Sequence, residues 1–140
     1  MIRGIFVKTN DNVTDFSFMS GERPVLEAEI LGGAEYPDIK GNAYVYFLPD
    51  GIYVQADFDK LPENNVFGFH VHEGLLCENP GEKLLPLPDV FSDKDGTSSM
   101  QVYLDGKSST QIAGRPIMLH LKRDGKDDLV VACGLLSRVL

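Results

Sequence analysis

The chain has 140 residues, 43% of them hydrophobic and 24% charged, and its 21 acidic and 13 basic side chains give a formal net charge of −8. A chain of this length forms one domain with its own core, and its apolar content is typical of a folded protein rather than a disordered one. The acidic balance argues against nucleic acid or an anionic membrane as a partner, because both require clustered Lys and Arg side chains.

Period-two alternation of apolar and polar residues dominates the chain and predicts about seven strands. Asp-Gly pairs between several of them favour tight turns, because glycine tolerates the positive φ that a hairpin demands. The LPDG sequence at 48–51 predicts a hairpin, and no segment carries a helical apolar stripe over ten or more positions. These features indicate an all-β sandwich or barrel. In chain order the predicted strands are 25–31, 39–48, 52–59, 66–72, 98–104, 116–121 and 129–135.

Two segments lie outside this pattern. Residues 1–24 are predicted to be an N-terminal extension to the domain at 25–140, with 2–8 and 13–19 as candidates for an extra hairpin. Residues 78–89 carry three prolines and one glycine and are predicted to be a long irregular connection. The chain has no apolar run of the roughly 20 residues that a membrane helix needs and no secretory signal. The expectation is a cytoplasmic protein, or an exported one whose leader has been removed.

The three histidines, His70, His72 and His120, are the residues best suited to binding a metal. His70 and His72 are two positions apart in a predicted strand, so both imidazoles project from one face while Phe69 and Val71 point to the other. Two neutral imidazoles that converge with a third suit copper or zinc. A His-x-His pair also occurs by chance on exposed strands, and a lone histidine on an apolar strand is often a core residue.

Several motifs together resemble the copper/zinc superoxide dismutase family. They are FGFHVHEG, the Cys77 that follows it, SDKDGTSS, IAGRPIMLH and VVACGLL, and they span about residues 25–136. The five-residue step from His72 to Cys77 is similar to the bacterial branch. The resemblance implies a Greek-key, immunoglobulin-like β-sandwich or flattened barrel of about eight antiparallel strands.

The resemblance also implies roles for individual residues. Cys77 and Cys133 would form a disulfide between the loop after the copper strand and the last strand; two reduced, buried thiols are the alternative in a cytosolic protein. Arg115 matches the arginine of the family's GR motif, which has a structural role near the active-site channel, although a surface arginine before a strand would look the same. Three residues become ligands of one copper ion: His70, His72 and His120.

The chain departs from the family pattern where the family binds zinc. The stretch 77–90 contains no histidine, and Pro86 stands at the place expected for the zinc-binding aspartate. Asp89 and Asp93 are the nearest carboxylates and are poor candidates as ligands. The structural zinc site is therefore expected to be absent.

A second departure follows His120. The connection to the next strand is short, and Val130 stands where the family has its anion-binding arginine. Lys122 and Arg123 are weak candidates for guiding an anion in its place, since a basic turn is usually just solvated. Loss of the guiding arginine and an acidic net charge should both slow the capture of superoxide.

The sequence therefore predicts a copper-binding, superoxide dismutase-like protein. It would disproportionate superoxide to dioxygen and hydrogen peroxide at a copper-only site of three histidines, with reduced efficiency. The alternative is a non-enzymatic copper- or zinc-binding sandwich protein that has lost this activity. Zinc with water as a fourth ligand and a sandwich that binds no metal also stay open. A homodimer is a possible assembly, because family members often pair through their sandwich faces.

Overall fold

The computed structural model describes residues 22–140 and two short N-terminal strands, β1 (Val7–Lys8) and β2 (Thr14–Asp15). These two strands pair antiparallel in a small sheet of their own. The rest of the predicted N-terminal hairpin lies outside the described residues.

Residues 22–140 form a nearly closed antiparallel barrel of eight strands, so the predicted all-β fold is confirmed. A short strand, β11 (Ser137–Arg138), pairs with β3, and one helical turn, α1 (Ser109–Ile112), precedes β9. Within the part of the chain that is described, no helix is long and apolar enough to cross a membrane. The barrel strands are β3 (Leu26–Gly32), β4 (Lys40–Leu48), β5 (Gly51–Asp59), β6 (Val66–His72), β7 (Lys83–Phe91), β8 (Ser98–Asp105), β9 (Pro116–Arg123) and β10 (Lys126–Leu135).

The strand order around the barrel is β7-β6-β9-β10-β3-β4-β5-β8, and β7 approaches β8 to bring the two ends of the sheet together. The predicted hairpin at 48–51 is confirmed, since Leu48 pairs with Gly51 across a two-residue loop. A second tight hairpin joins β9 to β10, where Asp124 and Gly125 have φ values of 53° and 74°. Two consecutive residues with positive φ are what a two-residue hairpin of this kind requires.

The core fills the barrel interior with alternate residues of each strand. Strand β3 shows the pattern most clearly, because every second residue from Leu26 to Ile30 is buried and those between are exposed. Strand β6 is different: all residues from Phe67 to His72 are buried, on both faces. Its apolar residues Phe67, Phe69 and Val71 belong to the core. The alternating residues Gly68, His70 and His72 therefore lie on the outer face of the barrel, where other parts of the chain shield them from solvent.

The prediction of an irregular connection at 78–89 was wrong for its second half, because β7 begins at Lys83 and includes Pro86 and Pro88. Proline cannot donate a ladder hydrogen bond and is tolerated mainly on edge strands. Strand β7 is such an edge, since it pairs only with β6. Leu85 and Leu87 are buried while both prolines are exposed, so the strand alternates normally from Leu84 to Pro88.

Candidate metal centre

The three histidines come together on the outer face of the barrel. The ligand atoms of His70, His72 and His120 all lie within 4.8 Å of one another, and their ring centroids are 5.3 to 6.1 Å apart. The residues are only 9, 6 and 8% exposed, respectively. The sequence indicated these three residues as the best candidates for binding a metal, and the structure places them in one buried cluster.

The strand register explains why they meet. His120 on β9 neighbours Gly68 on β6, two residues before His70 and therefore on the same face. Phe69 and Leu119, which are also partners across the two strands, point to the core from the opposite face. The glycine opposite His120 leaves space on the outer face, and the two strands hold the histidines on a rigid surface.

His72 is oriented by a backbone carbonyl. Its Nδ1 lies 3.0 Å from the carbonyl oxygen of Gly81, and because a carbonyl can only accept, Nδ1 carries the proton. The lone pair of the neutral ring is then on Nε2, which is buried and has no hydrogen-bonding partner among the described residues. An imidazole that donates one N–H to a carbonyl and keeps the other nitrogen free is the usual state of a metal-binding histidine.

His70 faces a carboxylate. Its Nε2 lies 3.4 Å from Oδ2 of Asp127, and the Nζ of Lys83 lies 2.6 Å from the same oxygen. The opposite nitrogen of the ring, Nδ1, is buried without a partner, as is Nδ1 of His120. The sequence reasoning considered Asp89 and Asp93 as nearby carboxylates and missed Asp127.

The protonation states suit metal binding near neutral pH. Burial lowers the pKa of His70 to about 4, with a further lowering by the charge of Lys83 that Asp127 partly opposes. Burial also lowers the pKa of His120. For Asp127, burial by itself raises the pKa, but the hydrogen bond from Lys83, the charge of Lys83 and the charges of His70 and His120 when these are protonated outweigh burial and lower the pKa overall. The two histidines are therefore neutral and the carboxylate is ionised.

The register of the β9–β10 hairpin and a glycine place Asp127 at this site. Asp127 is the partner of Lys122 in the register set by the two-residue turn at 124–125, so it lies on the face that carries His120; the ladder shifts only after it, between Asp127 and Leu129. Gly68 makes room for it, since a Cβ at Gly68 would collide with the Asp127 carboxylate. A simple alternation of residues along β10 would not reveal this arrangement.

The segment 73–82 attaches to the same outer face at three points. A disulfide joins Cys77 to Cys133, with the two Cα atoms 6.1 Å apart, and Cys133 lies on the outer side of β10. Gly81 contacts His72 as described above. Arg115 donates from Nη1 to the carbonyl of Glu73 and from Nε to the carbonyl of Gln111, the latter over 2.9 Å. Arg115 thus holds the start of the segment and has a structural contact next to His72.

The other charged residues that the sequence analysis considered form ion pairs or cap a turn. Lys122 Nζ lies 3.2 Å from a carboxylate oxygen of Asp89, and Arg123 Nε lies 2.9 Å from one of Asp128. The Asp93 carboxylate accepts hydrogen bonds from Thr97 and from the backbone of Asp95, and these bonds lower its pKa. Asp89 and Asp93 therefore have structural partners of their own.

The donor set fits a transition-metal ion. Imidazole nitrogens are ligands that copper and zinc both accept, and three buried ring nitrogens here have no other partner in the described structure. Metal–nitrogen bonds of about 2.0–2.1 Å would draw the three rings slightly closer together. The cluster can therefore bind a metal ion, and the donor atoms alone do not distinguish copper from zinc.

The chain matches no protein-family model and no curated protein. Its resemblance to the copper/zinc superoxide dismutases therefore depends on the motifs in the sequence. The structure adds an eight-stranded antiparallel barrel, a buried cluster of three histidines and a disulfide.

Changing Asp127 to Asn is expected to weaken metal binding by about 10- to 100-fold, the usual cost of losing a partner that orients a ligand. The amide keeps the size of the side chain but loses the charge that attracts the His70 N–H and Lys83. The matched control is Asp128→Asn, which removes a neighbouring carboxylate that pairs with Arg123 on the surface. Competition titration with a metal chelator measures both affinities, and equal values for the two variants would contradict the role given to Asp127.

Proposed function

We propose that the chain binds one copper ion through His70, His72 and His120 and acts on superoxide. The observation that carries the proposal is which nitrogens of the histidine rings have a polar neighbour and which do not. In His72 and His70 one nitrogen faces a carbonyl or a carboxylate, while the other is buried and has no partner in the described structure. A histidine that served only to fill space would leave no such nitrogen without a partner, because an unsatisfied buried polar atom costs about 1–3 kcal/mol.

Copper is favoured over zinc by the family resemblance of the surrounding motifs. A bound copper ion supplies one-electron chemistry by alternating between its two oxidation states. In the net reaction two superoxide ions and two protons give one dioxygen and one hydrogen peroxide.

The residues of this chain would contribute binding and orientation. The three histidines hold the ion, and Gly81 and Asp127 fix the orientation of two rings. The histidines are only slightly exposed, and the three ring nitrogens that would hold the ion are buried. Lys83, whose side chain is 52% exposed, lies at the same edge of the cluster, where its ion pair with Asp127 offsets its positive charge.

The activity is tested by loading the protein with copper and following superoxide decay directly. We expect the wild-type chain to accelerate the decay and His120→Ala to lose the acceleration, because the variant keeps only two of the three ligands. A control variant, Asp93→Asn, changes a carboxylate in a distant turn and should match the wild type. If the wild-type rate is no higher than that of His120→Ala, the chain is not a dismutase.

A second function, copper binding without turnover, is supported by the positions of the cations. Lys122 and Arg123 are both engaged in ion pairs, and the net charge of −8 opposes the approach of an anion. This function predicts one copper ion per chain together with no acceleration of superoxide decay.

A further inference from the structure

Met118 is buried but lies outside the main cluster of core residues. It is 3% exposed, yet the core cluster contains its neighbours Ile117 and Leu119 and not Met118 itself. Because successive residues of a strand point to opposite faces, Met118 lies on the outer face of β9. This is the face that carries His120, two residues further along the strand.

The register places Met118 directly opposite His70 of the histidine cluster. It is the partner of His70 across the ladder to β6 and of Cys133 across the ladder to β10. Directly opposed residues of an antiparallel pair have Cβ atoms about 4.5–5.5 Å apart. The sulfur of methionine lies two bonds beyond Cβ on a chain with three rotatable bonds, so it can reach an ion held by the ring of His70.

The thioether of methionine prefers some metal ions to others. A thioether is a soft ligand that favours Cu(I), whereas Zn(II) and Cu(II) are served well by imidazole. Three neutral imidazoles and one thioether also form a ligand set without charge. Burial in such a site disfavours a divalent ion relative to Cu(I), because the more highly charged ion is the more costly to bury. Leucine or valine would fill the same space without offering a donor atom.

We propose that the Sδ atom of Met118 is a fourth ligand of the copper ion and makes the site favour Cu(I) over Zn(II). The proposal rests on the proposed copper site of His70, His72 and His120 and adds a residue that sequence reasoning did not single out. A residue that only fills space on the outer face would leave the metal preference of the three histidines unchanged.

The first test measures affinities in Met118→Leu, a change that conserves volume and apolar character. Competition with a chromophoric chelator is expected to show Cu(I) binding weakened by about tenfold or more, with Zn(II) binding nearly unchanged. The matched control is Met100→Leu, the same substitution on β8 at a residue that packs against the core. Equal Cu(I) affinities in the two variants would overturn the proposal.

The second test identifies the ligand directly. Protein labelled with selenomethionine and loaded with Cu(I) should show a selenium neighbour in X-ray absorption at the copper edge, which the sulfurs of the disulfide cannot imitate. The selenium signal should vanish in Met118→Leu and persist in Met100→Leu.

The outcomes separate this inference from the proposed function. Stoichiometric copper with nitrogen neighbours and no selenium overturns the role of Met118 and leaves the three-histidine site intact. A selenium signal that persists in Met118→Leu assigns the ligand to another methionine and also overturns the proposal. A chain that binds no copper overturns both.

Discussion

Replacing Cys77 and Cys133 with serine is expected to lower the free energy of unfolding by about 4 kcal/mol. The disulfide closes a loop between residues 56 positions apart, and the chain-entropy model gives about this value for a loop of that length. Of a total stability of about 5–15 kcal/mol for a typical domain, this is a large share. The measurement is equilibrium unfolding in urea of the wild-type and double-variant proteins.

The same substitution should loosen the cover of the histidine cluster. Without the disulfide, segment 73–82 keeps only the contacts of Gly81 with His72 and of Arg115 with Glu73 among those described above. We therefore expect the double variant to bind copper more weakly as well as to unfold more easily. Wild-type protein under a reducing agent serves as the control and should reproduce both effects. Unfolding curves with the same midpoint and slope would show that the disulfide contributes nothing to stability.

Adding copper to the metal-free chain is expected to raise the free energy of unfolding by about 3–4 kcal/mol when free copper is 100 to 1,000 times its Kd. A ligand that binds only the folded state stabilises it in this way. The effect requires the folded cluster, because His70 and His120 lie on different strands and meet only through the ladder between β6 and β9. Unfolding is followed with and without copper, at fixed protein concentration.

The control for copper-linked stability is His120→Ala, which should unfold at the same denaturant concentration with and without copper. Asp93→Asn, at a turn far along the chain from the cluster, should retain the full stabilisation. If His120→Ala is stabilised as much as the wild type, the copper binds elsewhere and the cluster is not the site.

The barrel could be predicted because its strands alternate plainly. The predicted strand at 66–72 agrees with β6, and the hairpin at 48–51 was predicted from the turn sequence LPDG. Strand β7 was missed because Pro86 and Pro88 count against a strand unless it is known to lie at an edge. Edge position is a property of the whole sheet, so local sequence does not reveal it.

The histidine cluster was predictable in part for the same reason. His70 and His72 share a face by alternation alone, whereas their meeting with His120 depends on the register between β6 and β9. Asp127 was missed because its position depends on the register between β9 and β10, in which the turn at 124–125 sets it opposite Lys122, on the face that carries His120. Met118 was overlooked because an apolar residue on an apolar strand is usually part of the core.

The most direct test of the copper site is an anomalous difference map from crystals of the copper-loaded protein, collected at the copper absorption edge. The account predicts one strong peak per chain, bonded to Nδ1 of His70, to Nε2 of His72 and to a ring nitrogen of His120. A map with no peak among these three residues, or with its strongest peak at another part of the chain, would contradict it.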